Sequence, residues 1–178
     1  MKKLSMVSLG GLAAAAALTT VGIGTAVAAP DYGALAVNPN AVTDSTAYVP
    51  MPAVLNPGGQ QGVEQEFNHR DGSRGITTTI VVLPTPQEAT SSMDASRSGL
   101  ASIVANQTSQ PVTVGTGGTL VTGTSPDGSQ SVGVLLFTEA NAAVEVQFDG
   151  PTNDPVPADL VTQYGQDQLA AIHQQLGT

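Results

Sequence analysis

The chain has 178 residues and carries 5 Lys and Arg against 14 Asp and Glu, a formal net charge of −9 at pH 7. A surface of that sign is repelled by phosphate backbones and anionic headgroups, which sets nucleic-acid binding aside. The sequence contains no cysteine, so disulfides, metal–thiolate sites, thiol catalysis and acylation of an N-terminal cysteine are excluded together, and the core alone must stabilise the fold.

Lys2 and Lys3 precede an uncharged stretch from Leu4 to Ala29 that ends in Ala26-Val27-Ala28. A basic start, an apolar middle and small residues at the last and third-last positions are the three parts of a secretory signal peptide. Residues 1–28 are expected to be removed between Ala28 and Ala29, since a cut one residue later would leave Pro30 directly after the scissile bond. The alternative is an uncleaved anchor, for which the stretch is long enough, but Gly10, Gly11, Gly22, Gly24 and the alanine run 13–17 make it weakly apolar. The mature chain then has Arg70, Arg74 and Arg97 as its fixed cations against 14 acids, a balance of −11, and no stable membrane anchor. Its expected location is secreted, or the periplasmic and cell-envelope space. Abundant Ala, Gly, Val and Thr with few Lys, Ile and Phe is the bias of a GC-rich genome and points to an actinobacterial source.

Residues 29–61 hold Pro30, Pro39, Pro50, Pro52 and Pro57, end in Gly58-Gly59-Gln60-Gln61 and show no sustained apolar period. Such a segment cannot bury enough apolar surface to offset the entropy of ordering it, and reads as a flexible, disordered linker. The alternative is an extended arm packed on the domain through Tyr48, Met51, Val54 and Leu55.

Residues 62–178 read as an α+β domain, a mainly antiparallel sheet packed by two helices. Val63, Gln65 and Phe67 share one face of a strand, Glu64, Glu66 and Asn68 the other, and Asp71-Gly72 is a strong hairpin signal. A two-residue turn there pairs Phe67 with Ile76 and Val63 with Ile80, apolar on apolar, and sets Glu64 and Glu66 opposite Thr79 and Thr77. The second strand, Ile76 to Leu83, ends apolar on both faces and is expected to be central. Thr85-Pro86-Gln87-Glu88 combines a Thr N-cap, Pro at the first helical position and Glu at the third. Ala89, Met93, Leu100, Ile103 and Val104 then recur at helical spacing to about Asn106. Strands are predicted at Val112 to Val114, Thr119 to Thr124, Val132 to Thr138 and Ala143 to Phe148. The last alternates Val144, Val146 and Phe148 with Glu145 and Gln147, as in a sheet with one wet face. A final helix begins within or just after Asp154-Pro155-Val156-Pro157, with Asp154 as its N-cap, Leu160, Val161, Tyr164, Leu169, Ile172 and Leu176 on one stripe, His173 in the last turn and a stop at Gly177.

No set of residues points to catalysis, to a cofactor or to a metal. Gly123-Thr124-Ser125-Pro126-Asp127 lacks the final glycine of a nucleophile elbow and reads as a turn. Of the two possible bases, His69 adjoins the hairpin turn and is expected to pair with Arg74, while His173 suits a helix end, where the dipole favours its cation. His69-Arg70-Asp71 repeats three letters of a kinase catalytic loop without the glycine-rich loop that would give them meaning. Gly115-Thr116-Gly117-Gly118 lacks both the helix and the lysine of a phosphate cradle and reads as a flexible connection. Asp149, Asn153 and Asp154 match no calcium-loop spacing, and Pro151 and Pro155 interrupt them. The scarcity of aromatics, with no Trp and 3 Tyr, argues against a sugar-stacking cleft between paired carboxylates.

The leader, the proline-rich segment and this element order resemble the mycobacterial LpqN-type exported proteins, whose domain has a PsbP-like fold. The residues that carry the resemblance are the hairpin Val63 to Leu83, the Thr85-Pro86 helix start, Val144-Glu145-Val146-Gln147-Phe148 as last strand and the Asp154-Pro155-Val156-Pro157 approach to the C-terminal helix. Many of those relatives are lipoproteins, and this chain has no cysteine to acylate. The resemblance implies a non-enzymatic envelope protein and brings no catalytic residues with it. The expected function is therefore a secreted, non-catalytic interaction or binding module whose partner is an envelope or extracellular protein. The alternative is a carrier of an apolar envelope lipid or other small apolar ligand in a groove between sheet and helix, suggested by the second-face residues Val81, Leu83, Leu135 and Phe137. A hydrolase comes a distant third.

Overall fold

The computed structural model describes residues 30–43 and 45–177, so the signal peptide expected over residues 1–28 lies outside the described residues. The fold is α+β, built on one antiparallel sheet. Its strands are β1 (Tyr48–Pro50), β2 (Val54–Leu55), β3 (Gly62–His69), β4 (Gly75–Val82), β5 (Ala105–Pro111), β6 (Thr116–Thr124), β7 (Ser131–Glu139) and β8 (Ala142–Gly150). Its α-helices are α1 (Pro39–Val42), α2 (Pro86–Gly99) and α3 (Ala158–Leu176). The strand order is β1-β3-β4-β8-β7-β6-β5, with β2 also on β3.

The β3–β4 hairpin has the register set by its alternation: Phe67 faces Ile76, Val63 faces Ile80, and Glu64 and Glu66 oppose Thr79 and Thr77. The closing turn is wider than two residues. His69 N–H donates to the Arg74 carbonyl at 2.9 Å, and Gly72 N–H to the His69 carbonyl at 2.8 Å. The helix α2 opens as its chemistry requires, with Thr85 Oγ1 accepting from Glu88 N–H at 3.2 Å and Pro86 in the first turn. A cap of this kind contributes about 1 kcal/mol.

Each face of the sheet is covered by a different helix. On one side Ala89, Met93, Leu100 and Val104 pack on Val121, Val132, Val134, Leu136 and Ala143. On the other, Val161, Tyr164 and Ile172 of α3 pack on Phe67, Ile80, Leu135, Phe137, Val144 and Phe148. This is why β7 reads Ser-Val-Gly-Val-Leu-Leu-Phe-Thr with every side chain buried: a strand between two helical layers has no wet face. Leu135 and Phe137 are wholly inside the core and therefore do not line a groove, while Val81 and Leu83 are half-buried. Gly165 sets the approach of α3, since a Cβ there would lie 2.7 Å from Leu135 Cδ2 and 3.0 Å from Val114 Cγ1.

Three expectations need correction. Residues 30–61, read as a flexible linker, lie on the domain. Leu35 is fully buried, Tyr164 Oη donates to the Val37 carbonyl at 2.7 Å, Val37 N–H donates to Gln168 Oε1 at 3.0 Å, and Gln168 Nε2 donates to the Leu35 carbonyl. Backbone groups of the arm are thus satisfied by side chains of α3, a connection that leaves no periodic trace in the arm. The contacts expected of such an arm also differ, because Met51, Val54 and Leu55 are exposed at 42%, 48% and 56%. Second, α2 stops at Gly99 and gives way to a 3₁₀ turn at Leu100–Ser102, and β5 occupies Ala105–Pro111 rather than 112–114. As an edge strand exposed at nearly every position, β5 has no alternation to reveal it. Third, the N-cap of α3 is Pro157, with no side-chain cap, because Asp154 is taken by Arg74.

Candidate functional site

At the end of the sheet where β3 turns into β4 and β8 runs out, the arm and the approach to α3 stand apart on one face. They leave a half-open cleft of about 360 Å³. Its floor is apolar: Ile76 and Phe148 come from neighbouring strands, which pair directly, and Tyr164 from α3. The Phe148 and Tyr164 rings meet edge to face, 5.6 Å between centroids at 84°. Pro39 and Val42 of the arm form one wall, and Val156 and Leu160 the other. At the mouth stand Tyr48, His69, Arg74, Asp149 and Asp154.

Arg74 reaches the mouth because residue 150 is glycine; a Cβ there would stand 3.0 Å from Arg74 Nη1. Its Nη2 donates to the Asp154 carbonyl at 2.9 Å and to the Asp154 carboxylate. The arginine side chain is 21% exposed and its partner 70%, so the pair stands at the rim with the arginine on the inner side. Burial raises the Tyr48 phenol above its ordinary pKa, and the neighbouring Arg74 charge opposes the rise. Asp149 is likewise raised by burial, against the two hydrogen bonds from Gln147 Nε2 at 3.0 Å and with a contribution from Glu66. Tyr164 is held far above the usual phenol range by burial, although Thr78 hydrogen-bonds to it at 3.0 Å. It is a structural phenol.

The residues weighed from sequence fall into separate places. His69 Nδ1 meets Asp71 Oδ1 at 2.5 Å, and its ring stands edge-on to Tyr48 at 5.3 Å; with Arg74 it shares a backbone hydrogen bond. Arg70 Nε donates to the Thr46 carbonyl at 2.7 Å. His173 Nε2 meets Glu139 Oε1 at 2.8 Å, at the opposite end of the sheet. Ser125 donates to Asp127 at 2.6 Å within its own turn, and Ser129 adds its N–H and hydroxyl, which together hold Asp127 down at about 2. Gly115 precedes β6, whose start is bulged between Thr116 and Thr119. Asp149 and Asp154 both border the cleft but are engaged by Gln147 and Arg74. Ser45, a serine of the cleft wall, has its hydroxyl beside Thr43 and Asn40, at 2.7 and 3.3 Å. Among the described residues no histidine is hydrogen-bonded to a serine or threonine hydroxyl, and no cluster of three or more acidic or histidine side chains is placed to hold a metal ion.

Sequence reasoning did not single out Arg74 and Tyr48 as cleft residues. The available signal was charge placement: two of the chain's three arginines, Arg70 and Arg74, fall within five positions of each other beside His69.

No family model matches the chain, and no curated protein matches it. Among solved structures it is similar to the extracellular domain of PknH from Mycobacterium tuberculosis, with a TM-score of 0.55 and 13% identity over 80% of this chain and 94% of that one. At that identity the likeness is one of fold. Among the described residues no helix is long and apolar enough to cross a membrane.

Proposed function

We propose that the protein is an exported, non-catalytic binding module of the bacterial cell envelope, and that its cleft holds a small, largely apolar ligand. The observation that carries this reading is the cleft itself: an apolar, aromatic floor with a few polar groups gathered at one end is the usual make-up of a small-molecule site. Its volume, about 360 Å³, suits a compact ligand. Export is supported by the leader sequence, and an envelope role by the resemblance to LpqN-type proteins together with the fold shared with an extracellular domain. An environment-sensitive apolar dye should bind the mature protein at a single site. Leu160→Trp, which fills the cleft, should abolish that signal while thermal unfolding stays cooperative. Dye uptake that persists in a folded Leu160→Trp variant, or no uptake by the wild type, overturns the reading.

A second reading, docking of an envelope protein, is favoured by one observation. Val49, Met51, Val54 and Leu55 are exposed along the β1–β2 edge, where an open strand edge with apolar side chains can receive a partner.

A further inference from the structure

We infer that the ligand of this cleft bears a single carboxylate, which Arg74 and the Tyr48 hydroxyl receive while its apolar body lies over Ile76 and Phe148. The inference rests on the reading of the cleft given above and adds the chemical class of the head group. Arg74 turns only Nη2 to Asp154, and its Nε and Nη1 have no acceptor among the described residues. The Tyr48 backbone is held by Asn40 on both sides, at 2.8 and 2.9 Å, while its hydroxyl has no partner among them. Two donor groups that line the same cleft therefore keep spare hydrogens.

The partner that Arg74 already has is easily exchanged. Asp154 is 70% exposed, and ion pairs of that kind contribute little in water. A ligand carboxylate delivered against the less exposed side of the guanidinium can form two parallel hydrogen bonds in a drier place. The floor of Ile76, Phe148 and Tyr164 offers a charge nothing, so the head group must lie at the mouth and the apolar body within. A cationic head would meet Arg74 at the mouth, and a dianion would bring a second negative charge to a mouth that already holds Asp149 and Asp154. One negative charge fits between these limits.

The test is calorimetric titration of the mature chain with decanoate, decanol and decylamine, below their aggregation concentrations and near neutral pH. Decanoate should bind about tenfold tighter than decanol, as a charge-assisted bidentate contact allows, and decylamine weakest. Arg74→Gln should bring decanoate down to the level of decanol and leave decanol unchanged. Asp154→Asn, which removes the competitor without touching the cleft floor, should tighten decanoate binding severalfold, and it decides the matter if Arg74→Gln does not fold. Equal binding of decanoate and decanol, or indifference of decanoate to both substitutions, overturns the carboxylate inference; the cleft reading then stands provided Leu160→Trp abolishes binding of decanol. Binding of none of the compounds, or binding that survives Leu160→Trp, overturns the cleft reading and this inference with it.

Discussion

Glu145 sits on β8 beneath α2, where burial lifts its pKa above the ordinary carboxylate value, against a hydrogen bond from Ser96 and with a further rise from Glu64. A folded-state pKa above the unfolded one means that protonation favours the fold. The contribution is complete below the unfolded value and is lost as pH rises through the raised one. At neutral pH the ionised carboxylate therefore costs stability. Glu145→Gln should raise the thermal midpoint by a few degrees there, and the gap to wild type should close in acid; a variant equally or less stable at neutral pH would show that the charge is well solvated. Asp71 has the opposite sign, held at about 2 chiefly by the Ser73 hydroxyl, then by the Ser73 N–H and His69. Its contribution is present above the unfolded value and is lost as pH falls towards about 2. Phe67, 3% exposed and opposite Ile76, tests the hairpin register: Phe67→Ala should cost on the order of 3 to 5 kcal/mol through lost burial and a cavity. Glu66→Ala, on the solvent side of the same strand, should change chemical denaturation little.

Among the elements, those with a period of their own were legible in advance. The β3–β4 hairpin, β6 to β8, the Thr85-Pro86 start of α2 and the stripe of α3 all follow from alternation, capping and turn chemistry acting locally. The edge elements were not legible. The polar run of β5 looks like a loop because an edge strand buries neither face, and β1 and β2 are masked by Pro50 and Pro52. The arm was missed for a different reason, since its attachment is written in α3, where Gln168 is wholly buried and uses its amide to satisfy Leu35 and Val37. The cleft was illegible for the same reason, because one of its walls is that arm. Gln168→Ala should leave two backbone groups without partners, at a cost of about 1 to 3 kcal/mol. It should also make residues 30–47 the first site of limited proteolysis, whereas an unchanged digestion pattern would mean that Leu35 and Pro39 anchor the arm unaided.

For the whole molecule, the arm belongs inside the folding unit. Leu35 completes the core, and β1 and β2 cover the outer edge of β3. Limited proteolysis of a chain prepared without residues 1–28 should leave a fragment beginning near Asp31, and a chain started at Gly62 should lose the cooperative thermal transition. Full cooperativity in that shorter chain would return residues 30–61 to the status of a tether.

The strand order has a consequence in time. β4 finds its inner neighbour only in β8, and the arm is fastened by residues 131 and 133 positions further along the chain. A chain made from its N-terminus offers an early hairpin with one open edge and an arm whose anchor on α3 is still missing. Long-range closures of this kind form late and slowly. The native contacts of the arm and of the inner edge of β4 are therefore completed only once β8 and α3 are available.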